Sequence, residues 1–297
     1  MKKIISLALA LIMILGCATV FASCGGDNND NGGTTPQNKT YNFGVQSGTT
    51  GECFLKGDAD WGFDGYKNVK TNSYTTGALA VKDLLDGKLD YVVIDAAVAK
   101  TLVANNAGTK VIDFALTAED FGIGVDKEQT DLLASINDIL EAKKDEIAAL
   151  YEKYAEVTDD NASEWTGVTV TSAPYDASKN QLVVATNAQF APYEFVVGNA
   201  YAGIDMEIAK MIADELGMEL VISDMDFDAV VSSIGKNGVD VAISGLTIKP
   251  AREKVVNFSE PYEKGSYQVI IALEDDTTFD ACKNADEVLA ILKNLGK

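Results

Sequence analysis

At 297 residues with 47% hydrophobic content, the chain is long enough to fill the cores of one large or two ordinary domains, so disorder is confined to segments. A formal net charge of −21 leaves no basic stripe to displace counterions from phosphates, which excludes a nucleic-acid partner. The sequence has no histidine, which removes the usual general base, the Ser-His and Cys-His pairs and the commonest zinc ligand together.

Met1-Lys2-Lys3, the apolar stretch from Ile4 to Phe21 and the small residues Ala22-Ser23 predict a secretory signal over residues 1–23 and hence export. Cys17, after Ile14-Leu15-Gly16, and Cys24, after Phe21-Ala22-Ser23, both resemble the acylated cysteine of a bacterial lipobox. Only Cys24 opens a polar Gly- and Asn-rich tether, residues 24–40, so Cys24 is favoured over Cys17. Acylation there removes Lys2 and Lys3, takes the charge from −21 to −23 and anchors the protein to the outer face of the cell membrane. No second long apolar run follows, so the rest does not span a bilayer.

Order begins near Tyr41. Tyr91–Ile94 and Val111–Ile112 read as buried strands, and Leu132, Leu133, Ile136, Ile139 and Leu140 give one apolar helix face. A polar stretch from about Glu156 to Asn180 carries turn signals, with Trp165 and the alternation at Val168 to Val170 expected to pack. Further strands are expected at Val183–Ala185, Leu220–Ile222, Val239–Ile243 and Tyr267–Ile271. Helices are expected over Ile204–Leu216, Asp228–Ile234 and Asp286–Leu292. Strand, helix, strand at this spacing means parallel α/β sheets. Cys53 and Cys282 could pair in an exported protein, but two distant cysteines make no framework, and separate thiols are the simpler expectation.

Arg252, the only arginine, stands in the run from Ser244 to Tyr262. Its planar fork matches a carboxylate as lysine cannot, which points to a carboxylate clamp; a surface arginine in a lysine-biased sequence is the plain alternative. Other motifs are poor. Gly48–Gly51 lacks the Gly-Lys-Ser/Thr of a phosphate loop, Asp58-Ala-Asp60 and Asp224–Asp228 lack calcium-loop spacing, and no G-x-S-x-G elbow occurs. No catalytic residue, metal or cofactor is assigned.

The stretch Leu182-Val-Val-Ala-Thr-Asn-Ala-Gln-Phe190, then Gly203-Ile-Asp-Met-Glu, Asp226-Phe-Asp-Ala and the arginine run, resembles the start of the polar amino acid (family 3) solute-binding proteins of ABC importers. Phe43-Gly-Val-Gln-Ser-Gly-Thr-Thr-Gly51, Gly87–Asp95, Glu119-Asp-Phe-Gly-Ile-Gly-Val and the helix ending at Tyr154 resemble the later part of the same family. The halves stand in reversed order, so the resemblance implies a circularly permuted periplasmic-binding-protein fold: two lobes, two mixed, mostly parallel sheets and a two-strand hinge. One lobe is expected from 41–112 plus 270–297. The other is expected from 113–269, including a permutation linker at 156–180 that keeps to its own lobe. The hinge is expected near Val111–Leu116 and Tyr267–Leu273, and the ordered ends within a short loop's reach, roughly 10–15 Å.

The resemblance also implies the site. Arg252, with Thr247 and the Thr50 amide, would take a free amino acid's carboxylate; Asp95 and the Gly245 carbonyl would take its ammonium. Phe190 and Phe227 would wall the side chain, with Ser244 and Gln46 as further contacts. Asn187 stands where several relatives carry an aspartate, which favours a neutral polar ligand such as glutamine. The implied function is a monomeric, lipid-anchored receptor delivering an amino acid to ABC permease transmembrane subunits. A dehydratase-like enzyme on the same fold and an amino acid sensing or surface module are the alternatives.

Overall fold

The computed structural model describes residues 39–162 and 164–296; the signal segment, Cys17, Cys24 and most of the tether lie outside them. The chain runs β1 (Tyr41–Gln46), α1 (Thr50–Lys56), β2 (Val69–Tyr74), α2 (Gly77–Leu85), β3 (Tyr91–Asp95), α3 (Ala96–Asn105), β4 (Thr109–Ile112), β5 (Glu119–Phe121) and β6 (Gly124–Val125). Helices α4 (Thr130–Ala142), α5 (Lys144–Lys153) and α6 (Asp159–Ala162) precede β7 (Gln181–Thr186), β8 (Gln189–Phe190), β9 (Glu194–Val197) and β10 (Ala200–Ala202). Then come α7 (Ile204–Glu215), β11 (Glu219–Asp224), α8 (Phe227–Ser233), β12 (Val241–Ala242), α9 (Pro250–Glu253), β13 (Asn257–Phe258), β14 (Glu263–Ser266), β15 (Gln268–Leu273) and α10 (Ala285–Asn294).

Two five-stranded mixed sheets result, ordered β2-β1-β3-β15-β4 and β11-β7-β12-β6-β13. In each, three parallel strands are extended by antiparallel ones. Both faces of each sheet are covered, which is why the central strands read as unbroken apolar runs rather than alternations. In β3, Val92 and Ile94 face α2 and α3, while Tyr91 and Val93 pack with Phe279, Val288 and Leu292. In β7, Leu182 and Val184 serve one cluster and Val183 and Ala185 the other.

The connection between the sheets differs from expectation. Val111–Ile112 and the 268–273 run lie inside the first sheet as β4 and β15, and the paired crossover strands are β5 and β14. The apolar runs are used to finish a core; the crossover is left to a more polar stretch with an irregularity between Lys264 and Ser266. Helices α1, α2 and α3, which the apolar periodicity did not single out, pack on the first sheet. Cys53 and Cys282 are free thiols.

The segment after α5 also departs from its expected path. Trp165 stacks on Tyr154 at 5.0 Å, Val170 pairs with Tyr201, and Ala173 bonds the Leu220 backbone, all on the second sheet's side. Helix α6, however, lies against α3 of the first sheet as well as β9. A cavity of about 520 Å³ opens there, with Ala97, Thr101, Val157 and Tyr193 in its wall. The ordered ends meet: a Cβ placed on Gly296 would stand 2.1 Å from the Lys39 carbonyl oxygen, and Asn68 Nδ2 donates to the Leu295 carbonyl at 2.8 Å.

Candidate functional site

Arg252 is placed by α9, which Pro250 starts with a preset φ. The guanidinium is buried between Trp61, 5.0 Å from the ring centroid, and Phe227, at 5.4 Å. Nη1 donates to the Thr247 carbonyl at 3.0 Å, and Nη2 reaches across to the Gly48 carbonyl at 3.1 Å. Gly48 is required there: its φ is +78°, and a Cβ would meet the Asp228 backbone at 3.0 Å. Burial pulls the guanidinium down to about 10, against the fields of Glu119, Cys53 and Asp95, so it stays charged at neutral pH. Among the described residues its hydrogen bonds go to backbone carbonyls and none to a carboxylate.

The opposite sign stands at the end of β3. Asp95 is buried, and among the described residues its Oδ1 has no partner. Burial first, then the charges of Glu119 and Glu263, raise its carboxyl well above the usual range. Between the two poles, Thr50 Oγ1 and Thr247 Oγ1 lie 3.0 Å apart, one from each side of the cleft, and both donate to Glu119 Oε2, at 2.7 and 2.6 Å.

A second chain of bonds runs beside the first. Gln46 Nε2 donates to Asn187 Oδ1 at 2.9 Å, Asn187 Nδ2 to the Met225 carbonyl at 2.8 Å, and the Asn187 amide to Ser244 Oγ at 3.1 Å. Ser244 donates to Glu194 at 2.6 Å, and the Gly245 amide to Asp205 Oδ2 at 2.7 Å. Gly245 has φ +52°, and a Cβ there would press on Phe190 at 3.2 Å. Among the described residues Glu194 Oε2 and Asp205 Oδ1, both wholly buried, have no hydrogen-bond partner; burial raises both carboxyls, Asp205 to about 7.

The structure thus brings Arg252, Thr247, Thr50, Gln46, Asn187 and Ser244 into one hydrogen-bonded region between the two sheets, with Gly245 next to Ser244 and Asp95 paired with Gln268 beside it. Phe227 lies under the guanidinium, whereas Phe190 stacks on Tyr193 at 5.8 Å beside Gly245. Sequence reasoning missed Trp61, Glu119 and Gln268. Trp61 sits in an aperiodic loop, and only the folded chain brings it to Arg252. Glu119 did carry a signal: it alternates with Phe121 on β5, so both face inward and the neighbouring Asp120 faces out.

Two mixed α/β sheets joined by paired crossover strands give a two-lobed fold of the type 2 periplasmic-binding-protein class. Residues 182–295 match the family described as bacterial extracellular solute-binding proteins, family 3. The chain is 33% identical over 95 residues to the arginine-binding extracellular protein ArtP of Bacillus subtilis (strain 168), covering 32% of this chain and 37% of that one. It is 26% identical over 107 residues to the cyclohexadienyl dehydratase of Pseudomonas aeruginosa, covering 36% and 40%. Among solved structures, holo ArgBP from T. maritima is 48% identical over 28% of this chain and 37% of that one, with a TM-score of 0.27. The chain spans about a third to two fifths of the length of these curated relatives. The likeness to the family 3 extracellular solute-binding proteins is thus carried by residues 182–295.

Proposed function

We propose that the chain is an extracytoplasmic receptor that closes on a free amino acid and presents it to ABC permease subunits. One observation carries the reading. Among the described residues, a buried guanidinium has no carboxylate partner and a buried carboxylate oxygen on the other sheet has no donor. Burying a lone charge costs several kcal/mol, and a zwitterion brings the missing opposite to each pole at once. Thr247 and the Thr50 amide complete the carboxylate end, and the Gly245 carbonyl the ammonium end.

Asn187, read from the sequence as favouring glutamine, has both side-chain polar atoms engaged and favours no ligand. Asp95 and Glu119 are both buried, and both act on the single arginine. That excess of acid favours a cationic side chain, and the arginine-binding relatives agree with it. Titration calorimetry with L-arginine and L-glutamine in parallel tests this: tighter glutamine binding overturns the cationic assignment, and no heat from any common amino acid overturns the receptor. Disappearance of prephenate or arogenate on incubation would instead establish the dehydratase alternative that the Pseudomonas relative raises.

The anchor at Cys24 and the circular permutation belong to the same proposal. The reversed motif order and the contact of Gly296 with Lys39 support the permutation. Joining residues 296 and 39 through a short loop, and opening the chain within 156–180, should yield a protein that folds and binds alike; failure to fold would count against it.

A further inference from the structure

Glu119 stands on the crossover strand β5, only 3% exposed, and its carboxylate is surrounded by neutral donors. Thr50 and Thr247 donate to Oε2, at 2.7 and 2.6 Å; Thr117 and Gln268 donate to Oε1, at 2.6 and 3.1 Å. These bonds satisfy its lone pairs without cancelling its charge. Each donor also belongs to something else. Thr50 comes from the Gly-rich loop, Thr247 from the arginine run, and Gln268 pairs directly with Asp95 across β15 and β3. Because Gln268 Nε2 is turned to Glu119, its Oε1 is left buried and without a donor, as is Asp95 Oδ1.

We propose that Glu119 is a positioning residue for the binding cleft, holding the Thr50 and Thr247 hydroxyls in one orientation and turning the Gln268 amide so that its oxygen joins Asp95 in receiving a ligand ammonium. The consequence for the opposite pole is specific. A hydroxyl that gives its proton to Glu119 has only lone pairs left, so the ligand carboxylate falls to the Thr50 and Thr247 amides and to Arg252. One buried carboxylate therefore sorts the cleft into a donor end and an acceptor end. This rests on the amino acid reading above.

The test uses the full chain, with L-arginine as probe. Glu119→Gln should weaken arginine binding at least tenfold, about 1.4 kcal/mol, while leaving the ligand-free melting midpoint within a few degrees. The acid side of its pH–affinity profile should move to lower pH, because Glu119 is one of the charges that raise the Asp95 carboxyl. A purely structural role would not move that limb. Should Glu119→Gln fail to fold, Thr50→Val, Thr247→Val and their double variant decide the matter. Sharing one acceptor, they should be non-additive by at least threefold in affinity. Additive threonines, or wild-type affinity in Glu119→Gln with an unmoved acid limb, would overturn the role. If the wild type binds no amino acid, the receptor reading has failed by itself, and the same threonine cycle, read in melting midpoint, still confirms or rejects the shared acceptor.

Discussion

The two lobes use buried polarity in opposite ways. In the lobe of β1, β3 and β15, the strand ends present Gln46 Oε1, Asp95 Oδ1 and Gln268 Oε1, acceptors without donors on three neighbouring strands. In the lobe of β7 and β12, the buried acids Glu194 and Asp205 turn inward to Ser244, to the Gly245 amide and to the Tyr262 hydroxyl. They fix the backbone of the loop that carries Thr247 toward the cleft. Among the described residues, one lobe leaves buried acceptors without donors, and the other uses its acids to hold a donor loop still. On the proposed reading, a ligand with both charges would satisfy the pair, and closure and binding would become one event.

The largest effect should come from removing either pole. Arg252→Lys loses the fork and the stacking between Trp61 and Phe227; Asp95→Asn loses the charge. Each should weaken amino acid binding by about 2–5 kcal/mol with the fold intact by circular dichroism. Calorimetric affinities unchanged in both variants would sink the site as placed.

The candidate site came from the sequence through the resemblance, which rests on compact local motifs such as Gln46 to Gly51 and Ser244 to Arg252. The network joining them was not legible. Glu119 reaches Thr50 over 69 positions and Thr247 over 128, and no local pattern encodes such distances. The crossover strands were misplaced for a related reason: an apolar run shows that a strand is buried, not which sheet it completes.

The inward-turned acids make the contrast measurable without ligand. Burial pushes Asp205 to about 7, and burial with the Asp205 charge pushes Glu263 to about 7, against hydrogen bonds from Tyr193 and Tyr151. Their ordinary values lie near 4, so between these limits the folded chain holds more protons than the unfolded one, and stability falls as pH rises. Lowering the pH from about 7 to about 5 should raise the melting midpoint by roughly 4–8 °C, equivalent to about 2 kcal/mol at this size. Asp205→Asn should flatten the dependence. A midpoint that rises with pH across this window would show that these carboxyls are ionised in the fold.

The smallest effects belong to the rim, where the lobes meet in water. Trp61, half-buried against Arg252, should contribute about 1–2 kcal/mol to affinity by cation–π stacking, so Trp61→Ala stands between the poles and the surface. Its neighbour Asp60 pairs with Lys254 across the same gap at 2.6 Å, but both side chains are about 60% exposed, at 61% and 58%. An ion pair in that setting contributes about 0–1 kcal/mol and is screened by salt. Asp60→Asn should therefore reduce affinity by no more than about fivefold, and the difference should vanish by about 0.5 M salt. A larger loss that persists in salt would mean that the rim, rather than the buried poles, holds the lobes together.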